Sequence, residues 1–148
     1  MCFRQNQRFW RDLAIRLTRM ADIEEVAIPK KNSQNRLKAL KVAQFAIDKQ
    51  AKHTIILDVS KLSGLCDYFV ICSAETGTQA DAILNWVAAK GKENNFKMHH
   101  FERDESSDWV LADFSDVILH IFVNDARKFY NLEHLWVDAK RVRIPRKK

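Results

Sequence analysis

The chain predicts an α/β fold, a single domain whose mixed five-stranded sheet is flanked by helices, and three observations carry that expectation. Apolar residues repeat at helical spacing in three separate segments, five other segments are short and apolar with alternating parity, and the two kinds interleave as helix, two strands, helix, three strands, helix. Helices that fall between strands must cover sheet faces. A length of 148 residues suffices for one such core but not for two.

The first predicted helix begins at Ser33, a good N-cap, and buries Ala39, Val42, Ala43, Ala46 and Ile47 at the three-four spacing of one face. "HTIILDVS" is apolar and β-branched enough for a central strand. "DYFVICS" supplies a second, with Tyr68, Val70 and Cys72 opposite Phe69 and Ile71, after a turn at Gly64. The second helix, "TGTQADAILNWVAAKGK", takes Thr76 or Thr78 as its cap and turns Ala80, Ile83, Leu84, Val87 and Ala88 inward. Gly91 reads as its C-terminal stop. "NFKMHHFER" is a third strand, and "DWVLADFSDVILHIF" holds two more. A last helix follows Asn124 in "NDARKFYNLEHLW".

Within "DWVLADFSDVILHIF" the simplest hairpin turns at Phe114 and Ser115 and pairs Trp109 with His120. Alternation then puts Trp109, Leu111, Ile118 and His120 on one surface and Val110, Leu119 and Ile121 on the other. The first surface reads as a face with a polar handle, indole beside imidazole at a partly open edge. The plainer reading of His120 is a core histidine held by one hydrogen bond.

Charge divides the chain into three. Residues 1–19 carry five arginines against Asp12, a net of +4, and place Trp10, Leu13, Ala14 and Leu17 on one side of a helix with Arg8, Arg11, Arg16 and Arg19 on the other. The tail "KRVRIPRKK" has six basic side chains and no acid. The body from Met20 to Ala139, with 14 basic and 18 acidic residues, is net acidic within a total of +6. The expected divisions are a basic amphipathic arm and linker over 1–32, an α/β domain over 33–139 and a basic tail over 140–148. An acidic body with cationic ends favours a basic protein partner at its surface, with phosphates reached by the ends. Charged tails that merely solvate a domain remain the alternative. The arm itself fits an ordered surface helix, translation from a start upstream of Met20, or an organelle-targeting segment.

Other chemistries find little purchase. Cys2, Cys66 and Cys72 are an odd set without CxxC spacing, so a reducing compartment is expected, the cytoplasm, or a mitochondrion or plastid if the arm is a targeting segment. No apolar run approaches the roughly 18 residues of a membrane span. His99 and His100 are adjacent and point to opposite sides of a strand, which prevents joint chelation of a metal. With three glycines, Gly64, Gly77 and Gly91, there is no phosphate loop or dinucleotide fingerprint, and no cofactor is expected.

Three stretches in combination, "DVSKLSGLCDYFVICSAETGTQADAI", "DWVLADFSDVILHIF" and "ARKFYNLEHLWVDA", resemble the Iojap family of ribosome silencing factors, also called RsfS, over roughly Ser33 to Ala139. Ala74, Ser106 with Ser107, and Ser115 depart from the glycines and Glu-Gly usual in the family, which bears on local loop shapes. The resemblance implies binding without catalysis: docking on ribosomal protein fourteen of the large subunit, steric blocking of the small subunit and repression of translation. In organelles it implies a role in large-subunit assembly. The implied partner face comprises Trp109, Leu111, His120, Arg127, Tyr130, Leu132 and Trp136, with Asp113 and Asp116 near the turn. Phe129 and Trp136 are expected to pack and Tyr130 to lie at the surface, in a monomer or weak homodimer. Because the family fold is similar to that of nucleotidyltransferases, the alternative is a metal-dependent enzyme using a nucleoside triphosphate. That reading would rely on Ser73 before a helix and on Glu102 and Asp104, against Ala74, which removes the small backbone a phosphate would approach.

Overall fold

The computed structural model describes residues 29–63, 66–103, 108–123 and 125–145, with side chains from Ser33 onward. The amphipathic arm, the turn at Gly64, Asp104, Ser106, Ser107 and Asn124 lie outside the described residues. Helix α1 spans Pro29–Asp48, four residues longer at its start than Ser33 predicts. Proline is at home there, because the first helical turn has no use for the N–H that proline lacks. Strands β1 (Lys52–Asp58) and β2 (Tyr68–Ala74) precede α2 (Gly77–Glu93). Strands β3 (His100–Arg103), β4 (Trp109–Asp113) and β5 (Val117–Val123) then run on to two short helices, α3 (Ala126–Tyr130) and α4 (Leu132–Leu135), and to strand β6 (Lys140–Val142).

The sheet has six strands in the order β3-β4-β5-β2-β1-β6, one more than expected. The β2–β5 pair at its centre is parallel and the others are antiparallel. The sixth strand is the start of the basic tail, pairing Val142 with Ile56 and Lys140 with Asp58. Both long helices pack on one face. There Ala39, Val42, Ala43, Ala46, Ala80, Ile83, Leu84 and Val87 meet Ile56, Val70, Cys72, Val110, Leu119 and Ile121 in one buried cluster. Val110, Leu119 and Ile121 thus face the helices, as their alternation predicts.

Thr76, not Thr78, caps α2, accepting from the Gln79 amide at 3.1 Å while the Gln79 side chain accepts from the Glu75 amide at 2.7 Å. Gly91 lies inside this helix instead of ending it. A methyl group there would stand 2.7 Å from the Phe96 carbonyl oxygen, so glycine lets the returning chain press against the last turn. The left-handed position that follows is taken by Asn95, at φ 66°.

The β4–β5 turn sits one residue later than expected. Phe114 donates its amide to Val117 O at 2.9 Å, leaving Ser115 and Asp116 as the two turn residues. Trp109 therefore pairs with Phe122, and His120 with Leu111. A register shift of two keeps every side chain on its expected face. Phe114 is fully buried against Phe96 on the helix side, and that burial fixes the turn. Ser115 has φ 78° at the first central position, which a type II′ turn reserves for glycine, and the Asp113 carboxylate compensates by accepting its amide at 2.7 Å. Ser115→Gly is expected to raise stability by about 0.5–1 kcal/mol, since a left-handed non-glycine residue costs roughly 1–2 kcal/mol and glycine's unfolded-state entropy returns part of it. A lower urea midpoint for the variant would show that the Asp113 contact outweighs backbone strain.

Candidate functional site

The face of the sheet turned away from α1 and α2 carries Leu57, Phe69, Ile71, Trp109 and Phe122, too apolar to meet water. The chain after β5 closes it. Asn131 takes a left-handed conformation (φ 48°, ψ 50°) and breaks the single helix expected here into α3 and α4, which lets the segment bend across the strands. Tyr130 lies against Trp109, ring centroids 4.4 Å apart, and Trp136 stands edge-on to Phe69 at 5.2 Å. Phe69 pairs with Ile118, two residues from the β4–β5 turn. The segment therefore runs from the Trp109 end of the sheet back to the turn end.

This cover corrects the expected open face. Trp109 is 3% exposed and His120 1%, and Leu111, Leu132 and Trp136 are buried as well. Trp109 Nε1 donates to His120 Nδ1 at 3.2 Å, while Phe69 stands edge-on to the imidazole at 5.0 Å. The plainer reading of His120 is the one observed. Burial pushes its pKa down to about 3, so it is neutral, and acceptance at Nδ1 leaves its proton on Nε2. The two rings belong beneath the surface because the cover that an edge position would lack is supplied by Tyr130.

Arg127 is likewise engaged internally. Its Nε donates to Glu133 at 2.6 Å, and its Nη1 donates to His53 O at 2.7 Å and to Ser73 Oγ at 2.9 Å. The clamp ties the closing segment to the far ends of β1 and β2. His53, at φ 52° within a register break of β1, turns its carbonyl toward the guanidinium. Among the implied partner residues, Tyr130 is half-buried, and Asp113 and Asp116 at the turn are half-buried too.

Among the polar side chains that the closing segment leaves outside, Lys128, Asn131, His134 and Asp138, three large apolar ones are exposed too. Phe129, Leu135 and Val137 are 54%, 47% and 69% exposed, so Phe129, expected to pack, is half-open to solvent while standing edge-on to Tyr130 at 5.2 Å. Leu135 and Val137 flank buried Trp136 and so sit near the turn end of the sheet. That end is acidic: Asp67 accepts from Asn35 Nδ2 at 2.6 Å, and Asp113 and Asp116 border Lys38, whose Nζ donates to Phe114 O. Burial lowers the Lys38 pKa although both aspartates oppose the shift. Sequence reasoning missed Leu135, Val137 and Lys38. Once Asn131 is read as a break, apolar residues beyond it no longer follow one helical stripe, and that was the available signal.

The enzymatic reading gains no assembled site among the described residues, which do not include Asp104. Ser73 Oγ is occupied by Arg127, Ala74 is buried, and Glu102 is exposed on edge strand β3 beside His100 Nε2 at 3.1 Å. Burial pushes the Cys66 and Cys72 thiols up to about 12, far from nucleophilic range. Among the described residues, no three His, Cys, Asp or Glu side chains gather as a metal site, and no helix is long and apolar enough to cross a membrane.

The buried pair makes stability depend on pH. His120 is neutral when folded and regains a pKa near 6.5 when unfolded, so its contribution is intact above about pH 6.5 and is lost as pH falls toward 3, at up to roughly 1.4 kcal/mol per unit. His120→Gln keeps an acceptor for the indole but cannot titrate. Urea unfolding at several pH values should give this variant a shallower acid loss than the parent, and parallel curves would refute the assignment. Trp109→Ala is expected to cost about 3–5 kcal/mol, as deletion of a buried aromatic does.

Comparison with known proteins agrees with this architecture. The family model described as "Ribosomal silencing factor during starvation" matches residues 30–148. The ribosomal silencing factor RsfS of Bacillus subtilis is 38% identical over 106 residues, covering 71% of this chain and 90% of that protein. The chloroplastic protein Iojap of Zea mays is 32% identical over 107 residues, 72% of this chain and 46% of that one. A crystal structure of a Bacillus halodurans protein superposes with a TM-score of 0.63 at 31% identity, covering 75% of this chain and 99% of that chain. With its match extending from the second residue of α1 through β6 and beyond, the chain belongs to the family of ribosomal silencing factors.

Proposed function

We propose that this protein binds the large ribosomal subunit through ribosomal protein fourteen and, by occupying the volume the small subunit needs, blocks subunit joining and represses translation. The observation that carries the reading is the exposure of Phe129, Leu135 and Val137 on the segment that closes the sheet, with half-buried Tyr130 beside Phe129. Single exposed apolar residues are ordinary, but three on one short segment, two of them near an acidic end, suit a basic protein: the apolar side chains supply affinity and the carboxylates steer the encounter. The names of the relatives, ribosomal silencing factors among them, supply the ribosome as the place of action.

The implied partner residues then divide by position. Tyr130, Asp113 and Asp116 touch the partner directly. Trp109, Leu111, His120, Leu132 and Trp136 act from beneath, holding the segment in shape, and Arg127 anchors it. No catalytic step, metal or cofactor enters this mechanism. We place the protein in the cytoplasm, or in an organelle with a role in large-subunit assembly if residues 1–19 are a targeting segment. We expect it to act as a monomer or weak homodimer, with the basic ends adding ribosomal RNA contacts.

Sedimentation with purified large subunits tests the reading. Leu135→Asp with Val137→Asp should weaken association at least about tenfold and restore joining of the small subunit, with unchanged thermal unfolding, because both side chains are exposed. Undiminished co-sedimentation of the double variant would move the interface elsewhere.

A further inference from the structure

Helix α1 delivers one cation to the acidic end of the domain and fixes it there. Lys38 is half-buried, its Nζ stands 5.6 Å from the centroid of the Phe96 ring, and it donates to Phe114 O. Phe96 is edge-on to Phe114 at 6.0 Å, so the ammonium is seated on the same pair of rings whose packing sets the β4–β5 turn. The turn does not depend on it. Four other bonds hold that loop: Phe114 N donates to Val117 O at 2.9 Å, Ser115 N to the Asp113 carboxylate at 2.7 Å, and Asp67 N and Tyr68 N to Asp116 O at 2.8 and 3.1 Å. Nor is Lys38 the partner of one acid. Asp113 and Asp116 both act on it electrostatically, yet neither forms an ion pair among the described residues.

What Lys38 changes is the field. Three half-buried carboxylates, Asp67, Asp113 and Asp116, stand at this end of the sheet against its single fixed ammonium. A solvated lysine would swing aside as a cationic molecule approached. Lys38 resists, because leaving would take the donor from Phe114 O and the cation from the Phe96 ring. Arg36, two residues earlier, offers the contrast: it is exposed and forms no ion pair among the described residues. Any cation drawn to Asp113 or Asp116 therefore meets a repulsion that does not move out of its way. At about 7 Å in a water-like medium, one unit charge alters affinity by roughly a factor of three.

We propose that Lys38 is a specificity-determining residue of the docking surface: a fixed ammonium that prevents the acidic end from capturing polycations by charge alone. The inference rests on the docking reading above, in which Asp113 and Asp116 meet a basic partner, and it adds the condition that partner must satisfy. A molecule that brings only positive charge is held weakly. One that also covers Leu135 and Val137, which sit near the same end, gains affinity that Lys38 does not oppose. Selectivity is thus obtained by weakening the attraction that every cation shares.

Fluorescent octalysine and purified large subunits serve as the two probes, with the full chain throughout. Lys38→Met keeps an unbranched side chain beside Phe96 and removes the charge. At low salt it should bind octalysine about threefold more tightly than the parent, with the gap closing as salt rises. Its affinity for large subunits should change by less, so that the preference for subunits over octalysine falls. Lys38→Arg should match the parent on both probes. Lys38→Met/Asp116→Asn, which restores the net charge, should return octalysine binding to the parent's, a reversal that a purely structural lysine would not give. Arg36→Met should alter octalysine binding much less than Lys38→Met does. Thermal unfolding checks each variant, and Lys38→Gln repeats the measurement with a side chain that can still donate to Phe114 O. Unchanged or weaker octalysine binding by folded Lys38→Met or Lys38→Gln would overturn the proposal, and so would an equal gain on both probes. A parent chain that ignores large subunits while the octalysine pattern holds would defeat the ribosomal docking alone.

Discussion

A six-stranded sheet with two apolar faces needs two covers, and this chain has long helices for only one of them. Both α1 and α2 pack on the same side, so the second face depends on α3, α4 and the turn after them. Such short helices have little intrinsic stability and cannot bury a wide stripe. Large rings compensate: Tyr130 and Trp136 each cover a neighbouring aromatic on the sheet, and Leu132 is buried in the same cluster. The Arg127 clamp then fixes the start of the segment to two strand ends at once. Two constraints act at the same point, since a segment thin enough to close the sheet without a long helix is also too thin to bury both of its own sides. Phe129, Leu135 and Val137 are the side left over.

That economy explains what could be read from the residues and what could not. The strand cores and the inward faces of both long helices were legible, because buried faces impose periodicities of two and 3.6 on the sequence. The alternation of Trp109 to Asp113 and of Val117 to Phe122 survived even the misplaced turn, since a shift of two preserves parity. The turn itself is not legible, because Phe114 in an Asp-Phe-Ser-Asp run reads as a loop residue. Its burial depends on Phe96, more than a dozen residues away, and periodicity carries no information about such a contact. Strand β6 was hidden for a related reason: Lys140 and Arg141 look like a solvated tail, and only pairing with β1 makes them an edge.

The candidate surface was less legible than the fold. Indole, imidazole and phenol in one neighbourhood suggested a place to bind, and the neighbourhood is real, but Trp109 and His120 are partners of each other. From composition alone, an aromatic that packs under a cover and one that meets a partner look the same. Exposure separates them, and exposure was decided by the bend at Asn131. The clamp was equally invisible, because Arg127, His53 and Ser73 come from three segments and their geometry depends on an irregular stretch of β1.

The same clamp bears on the reading of this corner as a nucleotide site. In a transferase of similar shape, the serine that precedes the helix would have to keep its hydroxyl and the adjoining backbone open toward phosphate. Here Ser73 Oγ accepts from Arg127, Thr76 is spent capping α2, and Ala74 is buried in the helix-side core. The corner is filled by the chain's own guanidinium, whose Nε charge is in turn met by Glu133. Opening it for a nucleotide would release the anchor of the segment that closes the sheet and expose Trp109, His120 and Phe122 to water. A nucleotide entering this corner would have to displace the guanidinium from Ser73 and from the His53 carbonyl, and so compete with the contacts that hold the second face closed.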